Sequence, residues 1–336
     1  MNSRPAVLCP IDFSDASRGA LRYARAIAEH VGGRLVILAV EDPLLTEAAA
    51  LGTGTVWNPD DTRHELTRFA SRALHGTPLK GTDVDYAVTV GKPAKQILQV
   101  AQEAACDLIV MSTHGLTGMR KMFFGSTTER VLRETTIPVL ATPPADEGPR
   151  SFEDIRRSVG RILVPVDLTA ASLHQLQIAR GISEALSVPF LATSVVEPVR
   201  SPLAAKLHLP SIELERRARG EDALAELLAT VPPQLHPEAL VAYGDPAEEI
   251  AKIARDRRAG LIVIGLHGSP MLGPHMGSVT YRVLCLTPAL VLALPPLPDA
   301  ARGAPAAPNS VWSSAGSQKP PATAFAAGTS NPPYPA

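Results

Sequence analysis

"DLIVMSTHG" (107–115) and "GLIVIGLHG" (260–268) decide the fold. Each sets an apolar run of strand length directly before a polar turn that ends in glycine. A run that is apolar throughout suits a strand covered on both faces, and such strands belong to parallel sheets. The two stretches are one of five matched pairs in the same order. "VLCPIDFSDAS" (7–17) matches "ILVPVDLTAAS" (162–172), and "VTVGKPAKQIL" (88–98) matches "VAYGDPAEEIA" (241–251). "FFGSTTERVL" (123–132) matches "HMGSVTYRVL" (275–284), and "TTIPVLAT" (135–142) matches "LTPALVLA" (286–293). The repeat unit is therefore a whole domain rather than a solenoid module.

Around the first stretch, strand candidates lie at 6–11, 34–40, 83–90, 107–111 and 137–141. Between them run helical patterns. Leu21, Ala24, Ile27, Ala28 and Val31 share one helical face, and Pro93 opens a second helix with Ile97, Ala101 and Ala104 on one side. Strand–helix–strand alternation implies right-handed crossovers and an α/β, doubly wound, parallel sheet in each half. The halves read as domains at 1–145 and 159–298. A polar linker spans 146–158, and a Pro/Ala/Ser-rich tail at 299–336 lacks the apolar residues to order itself.

Composition excludes several function classes. The 336 residues carry a formal net charge of -1, so no basic excess exists to hold a nucleic-acid backbone. Cys9, Cys106 and Cys285 are scattered, which argues against disulfides and a zinc site and for a reducing compartment. No apolar run reaches the roughly 18 residues of a membrane span, and Asp12 interrupts the N-terminus where a signal peptide is still apolar. The expected location is the cytoplasm, with no membrane partner.

The segment 111–130, "MSTHGLTGMRKMFFGSTTER", carries the chemistry. Ligands of doubly wound sheets bind beyond the carboxyl ends of the strands. Gly115, Gly118 and Gly125 let the backbone turn and approach a ligand. Ser126 and Thr127 open a helix whose N-terminal N–H groups and hydroxyls suit an anion. Glu129 stands at capping-box spacing from Ser126. Asp12 follows the first strand at the same edge, with Ser14 and Asp15 placed to cap the next helix. A carboxylate beside a phosphate site suits ribose hydroxyls better than phosphate. No GxxxxGK[ST] occurs, and "GTGTVW" (52–57) lacks the third glycine and following helix of a dinucleotide fingerprint. His114 and His267 precede the central glycines and read as loop histidines, because no partner at catalytic or metal spacing accompanies them.

With Asp12, the 112–115 turn and the Gly125–Ser126 pair in view, the chain resembles a tandem universal stress protein, over roughly 4–142 and 159–295. The ATP motif of that family is a glycine, two residues, a glycine, nine residues, then glycine and Ser or Thr. The first half keeps the spacing but has Ser112 in place of the first glycine. The second keeps Gly265 and Gly268, but only eight residues precede Gly277–Ser278, and Pro270 and Pro274 lie among them. The resemblance implies two tandem five-stranded parallel sheets of the adenine nucleotide alpha hydrolase-like type, strand order 3-2-1-4-5. It implies that the apolar fifth strands meet across a pseudo-two-fold as an intramolecular pseudo-dimer, with room for further homo-oligomers.

The resemblance also implies a ligand, ATP with or without Mg2+. Pro10, Asp12 and the backbone of Val40 would take the ribose and adenine side. Ser112, His114, Gly115, Gly118, Gly125, Ser126, Thr127 and Thr128 would wrap ribose and phosphates. The second-half counterparts are Asp167, Val195, Gly265, Gly268, Gly277 and Ser278. Ser112 is costly only if its position requires positive φ, whereas a shortened, proline-bearing loop moves a whole segment and removes N–H donors. The sequence thus favours the first half as the nucleotide site. The implied function is a non-enzymatic, nucleotide-responsive stress factor acting through an unidentified protein partner. The competing readings are a nucleotide-independent scaffold and a weak ATP hydrolase.

Overall fold

The computed structural model describes residues 4–44, 58–74, 82–113, 125–144, 147–198, 210–229, 237–266 and 276–296. The first half runs β1 (Ala6–Ile11), α1 (Asp15–His30), β2 (Arg34–Glu41), α2 (Pro59–Ala73), β3 (Asp83–Val90), α3 (Pro93–Glu103), β4 (Leu108–Ser112), α4 (Ser126–Glu134) and β5 (Val139–Thr142). After α5 (Phe152–Val159), the second half repeats it as β6 (Ile162–Pro165), α6 (Ala170–Leu186), β7 (Phe190–Val196), α7 (Pro210–Ala229), β8 (Glu238–Tyr243), α8 (Pro246–Asp256), β9 (Leu261–Gly265), α9 (Ser278–Leu286) and β10 (Leu290–Leu294). The tail at 299–336 and "GTGTVW" lie outside the described residues.

Both halves have strand order 3-2-1-4-5, but they form one sheet rather than two. The ten strands run β3-β2-β1-β4-β5-β10-β9-β6-β7-β8. All pairs are parallel except β5 with β10, where Ala141 faces Val291 and Val139 faces Ala293. Each fifth strand is apolar and would be an unprotected edge alone, and each removes the other's edge. Side chains alternate between two apolar clusters on opposite faces. Val7 and Cys9 of β1 enter one with α1, while Ala6 and Leu8 enter the other with α3 and α4. Burial pushes the Cys106 thiol up to about 11 and the Cys9 thiol higher still, consistent with small core residues.

The stretch 146–158 carries all but the last residue of α5, which its polar composition concealed. Ser151 and Asp154 close a capping box, and only Ile155 and Val159 are buried. The chain before α5 is strapped to α1. Arg22 Nη1 donates to the Glu147 carbonyl at 2.7 Å. Gly148, at φ +80°, passes so close to Gly19 that a Cβ would lie 2.5 Å from the Gly19 carbonyl oxygen. Phe152 stacks on His30, with centroids 3.5 Å apart.

Candidate functional site

β1 pairs with β4 only at Val7↔Leu108 and Leu8↔Ile109, and β6 pairs with β9 only at Ile162↔Leu261 and Leu163↔Ile262. Beyond these positions a crevice opens at the carboxyl edge of each half, the switch point of the doubly wound order. Asp12 and Asp167 stand at its mouth, both exposed. Asp12 Oδ1 accepts from Ser14 N at 3.1 Å and Ser14 Oγ at 2.5 Å, and Ser14 in turn caps α1 through Ser17 N. Asp167 Oδ1 accepts from Thr169 N, Thr169 Oγ1 and Ser172 Oγ at 3.1, 2.7 and 2.9 Å. In each half the turn fixes the carboxylate through Oδ1. The next residues, Phe13 and Leu168, sit at φ 63° and 60°. Left-handed backbone at a bulky residue costs roughly 1–3 kcal/mol and gathers at binding sites. Neither Phe nor Leu advertises it in a sequence.

On the other side of the crevice, each loop is pinned at both ends. Gly125 N donates to the Thr113 carbonyl at 2.9 Å and Gly277 N to the Leu266 carbonyl at 2.8 Å. Thr128 Oγ1 donates to the Ser112 carbonyl at 2.9 Å, and Thr280 Oγ1 to the Gly265 carbonyl at 2.8 Å. The missing residue of the second loop therefore leaves the entry of α9 where α4 has it. Gly125 and Gly277 are N-caps without a side-chain cap, so both helices begin at the serine itself. The capping box expected of Ser126 and Glu129 does not form, because Ser126 is already helical. Glu129 pairs with Arg133 instead, at 2.6 Å. Ser126 and Ser278 are exposed, Thr127 is half-buried, and Thr128 is buried. His114, Gly115, Gly118 and Gly268 lie outside the described residues.

Ser112 ends β4 opposite Thr142, with ordinary strand backbone, and Gly265 likewise needs no positive φ. Among the described residues, a Cβ on Gly265 would meet nothing nearer than Gln175 Oε1 at 3.7 Å, and one on Gly277 nothing nearer than the Leu266 carbonyl at 3.6 Å. Packing among the described residues does not demand these glycines. Their missing side chains enlarge the space beyond the strands.

That space is a cavity of about 1160 Å³ over the second half, lined by Asp167, Val195, Gly265, Gly277, Ser278 and Thr280 among others. It thus gathers five of the six second-half residues singled out from sequence. Pro10 pairs with Leu38, Val40 with Thr89, and Val195 with Ala242, placing these three at the same carboxyl edge. Three contributors escaped the sequence reading. Gln175 Nε2 bridges the parted strands, donating to the Pro165 carbonyl at 2.6 Å and the Val263 carbonyl at 2.8 Å. His174 lines the cavity with a buried, unpartnered Nδ1, and burial lowers its pKa. Arg216 enters from α7 and donates to the Glu197 carbonyl at 2.8 Å. Burial at helical spacing on α6 was the available signal for Gln175, and none marked Arg216.

Among the described residues, no group of three or more His, Cys, Asp or Glu side chains could hold a metal ion, and no helix is long and apolar enough to cross a membrane. The family model described as "Universal stress protein family" matches residues 4–143 and 158–295. Universal stress protein YxiE of Bacillus subtilis is 32% identical over 142 residues, 40% of this chain and 95% of that one. Universal stress protein MJ0577 of Methanocaldococcus jannaschii is 27% identical over 148 residues, 40% of this chain and 91% of that one. Among solved structures, a protein of unknown function, PA1789 of Pseudomonas aeruginosa, aligns with a TM-score of 0.58 at 19% identity, over 87% of this chain and 93% of that one. A universal stress protein of Archaeoglobus fulgidus aligns with a TM-score of 0.57 at 18% identity, over 86% and 98%. Two matches of the family model, one to each half of a duplicated sheet, show that the chain belongs to the universal stress protein family.

Proposed function

We propose that the protein is a non-enzymatic adenine-nucleotide binder whose occupancy is read by a protein partner, and that its working site is in the second half. The observation that carries this is the cavity framed by Asp167, Gly265 and the Gly277–Ser278 entry of α9. A helix N-terminus without a side-chain cap suits phosphate, and Asp167 Oδ2, not used by its turn, suits ribose hydroxyls. The first half has the same hydrogen-bonded frame, but Ser112 puts a buried side chain where Gly265 leaves space. The longer, complete loop spacing argues for the first half, and the open volume argues more strongly for the second.

Calorimetry of nucleotide-stripped protein with ATP, with and without Mg2+, tests this. Gly277→Ala/Ser278→Ala should abolish most binding, and Gly125→Ala/Ser126→Ala should leave it nearly intact. The reverse pattern would move the site to the first half. Absence of saturable binding by the unmodified protein would leave the nucleotide-independent scaffold as the surviving reading. Turnover of ATP that is lost in Asp167→Ala would overturn the non-enzymatic part.

A further inference from the structure

The halves differ most where the second helix of each meets the first. In the first half α2 packs on α1. Phe69 sets its ring edge-on to Phe13, with centroids 5.6 Å apart and planes at 86°. Arg18 lies over the Phe69 ring, 5.9 Å from its centroid. Ala16 beneath them is buried.

In the second half α7 lies mainly on β7 and β8. Its buried Gly220 and Leu224 match Leu66 and Ala70 of α2, so the place of Phe69 falls to Ala223. Leu168 stands where Phe13 does, and Ala171, the counterpart of Ala16, is exposed. Phe13 and Phe69 thus give way to the smaller Leu168 and Ala223. Leu168, Ala171, His174, Arg216, Arg219 and Gly220 all line the cavity. The crevice at Asp167 therefore continues into an annex between α6 and α7, and in the first half aromatic rings fill the matching place.

The lining says what the annex accepts. Leu168 and Ala171 make an apolar floor. The buried Nδ1 of His174 has no partner among the described residues, and burial holds its pKa below the ordinary value, which disfavours the imidazolium. Arg219 is paired with Glu215 at 3.3 Å, whereas Arg216 has only the Glu197 carbonyl among the described residues. A guanidinium above an apolar floor suits the face of a planar heteroaromatic ring. An acyl chain would gain nothing from the arginines, and a lone phosphate would be desolvated against Leu168.

The structure assigns to the second half a two-compartment site whose ligand is a dinucleotide. One nucleoside lies along Asp167 and Val195, the phosphates meet Ser278, and the second ring enters the annex. This rests on the nucleotide reading above and adds the second ring to it.

The test titrates stripped full-length protein and an Ala223→Phe variant with ATP and with diadenosine tetraphosphate. Wild type should bind the dinucleotide at least about tenfold more tightly, the worth of one stacked base. Ala223→Phe, which puts an aromatic ring at the position of α7 that matches Phe69, beside the cavity-lining Arg219 and Gly220, should erase that preference and leave ATP affinity within about twofold. Should that variant fail to fold, Arg216→Ala takes its place, with the preference expected to fall by at least about fivefold. Equal affinity of wild type for the two ligands, or a preference that survives these substitutions, would overturn the annex while leaving the nucleotide site standing. Binding of neither ligand would overturn both.

Discussion

The two halves share a framework to the level of individual hydrogen bonds yet differ in what the framework encloses. Asp12 and Asp167 are held by equivalent turns, Thr128 and Thr280 clamp equivalent strand ends, and Phe13 and Leu168 adopt the same left-handed backbone. Around those fixtures Ser112, Phe13 and Phe69 of the first half are matched by the smaller Gly265, Leu168 and Ala223 of the second. The lesson of the proposed reading is that the fixtures belong to the fold, and that side-chain volume one layer away decides which half takes a ligand.

Phe69→Ala should break the comparison most severely. Removing a buried aromatic should cost about 3–5 kcal/mol, whereas Ala223→Phe, filling the matching space, should cost far less. Equilibrium denaturation of the two variants measures the difference, and equal losses would mean that no annex exists. Gly260→Ala comes next. A Cβ there would lie 2.5 Å from the Ser158 carbonyl oxygen and 2.6 Å from Val159 Cα. Both are backbone at the end of α5, so a loss of about 2–3 kcal/mol is expected. The first-half counterpart, Asp107, uses its side chain instead, accepting from Ala6 N at 2.9 Å, and should tolerate Asn.

Gln175→Leu should cost about 1–3 kcal/mol, because two buried carbonyls lose their donor. Ala20 occupies that place in the first half and carries no such donor, so Ala20→Gly should have a much smaller effect. The smallest expected effect is on pH dependence. Burial lowers the pKa of His30 in the first half and of His174 in the second, and each has a buried nitrogen without a partner. The unfolded chain takes up protons near the ordinary value of 6.5 while the folded chain resists. Their contribution is thus fully present above that pH and is lost as pH falls through the lower folded values. Thermal melts in buffers from pH 7.5 to 5 should show this slope, and His30→Gln/His174→Gln should flatten it.

Much of the architecture was legible because the strands are apolar throughout and the duplication supplied each strand twice. The strand order came through the resemblance rather than from periodicity. Helix α5 was illegible because only Ile155 and Val159 of its residues are buried, too few to outweigh the charges around them. At the site, Asp12, Asp167, Gly277 and Ser278 were legible as types at fixed positions in a repeat. The effect of Ser112 was not, since β4 gives it an ordinary backbone angle and only its buried side chain sets it apart from Gly265. The preference for the first half followed from loop length. The cavity depends instead on contacts such as Phe69 with Phe13, between residues that are far apart in sequence and on helices whose packing the sequence pattern does not reveal.

Amide hydrogen exchange with and without saturating ATP tests the asymmetry most directly. The account predicts new protection at the entry of α9, around 278–280, and past the end of β7, at 195–197, with none at the entry of α4, around 126–128. Protection confined to 126–128, or equal in both halves, would contradict it.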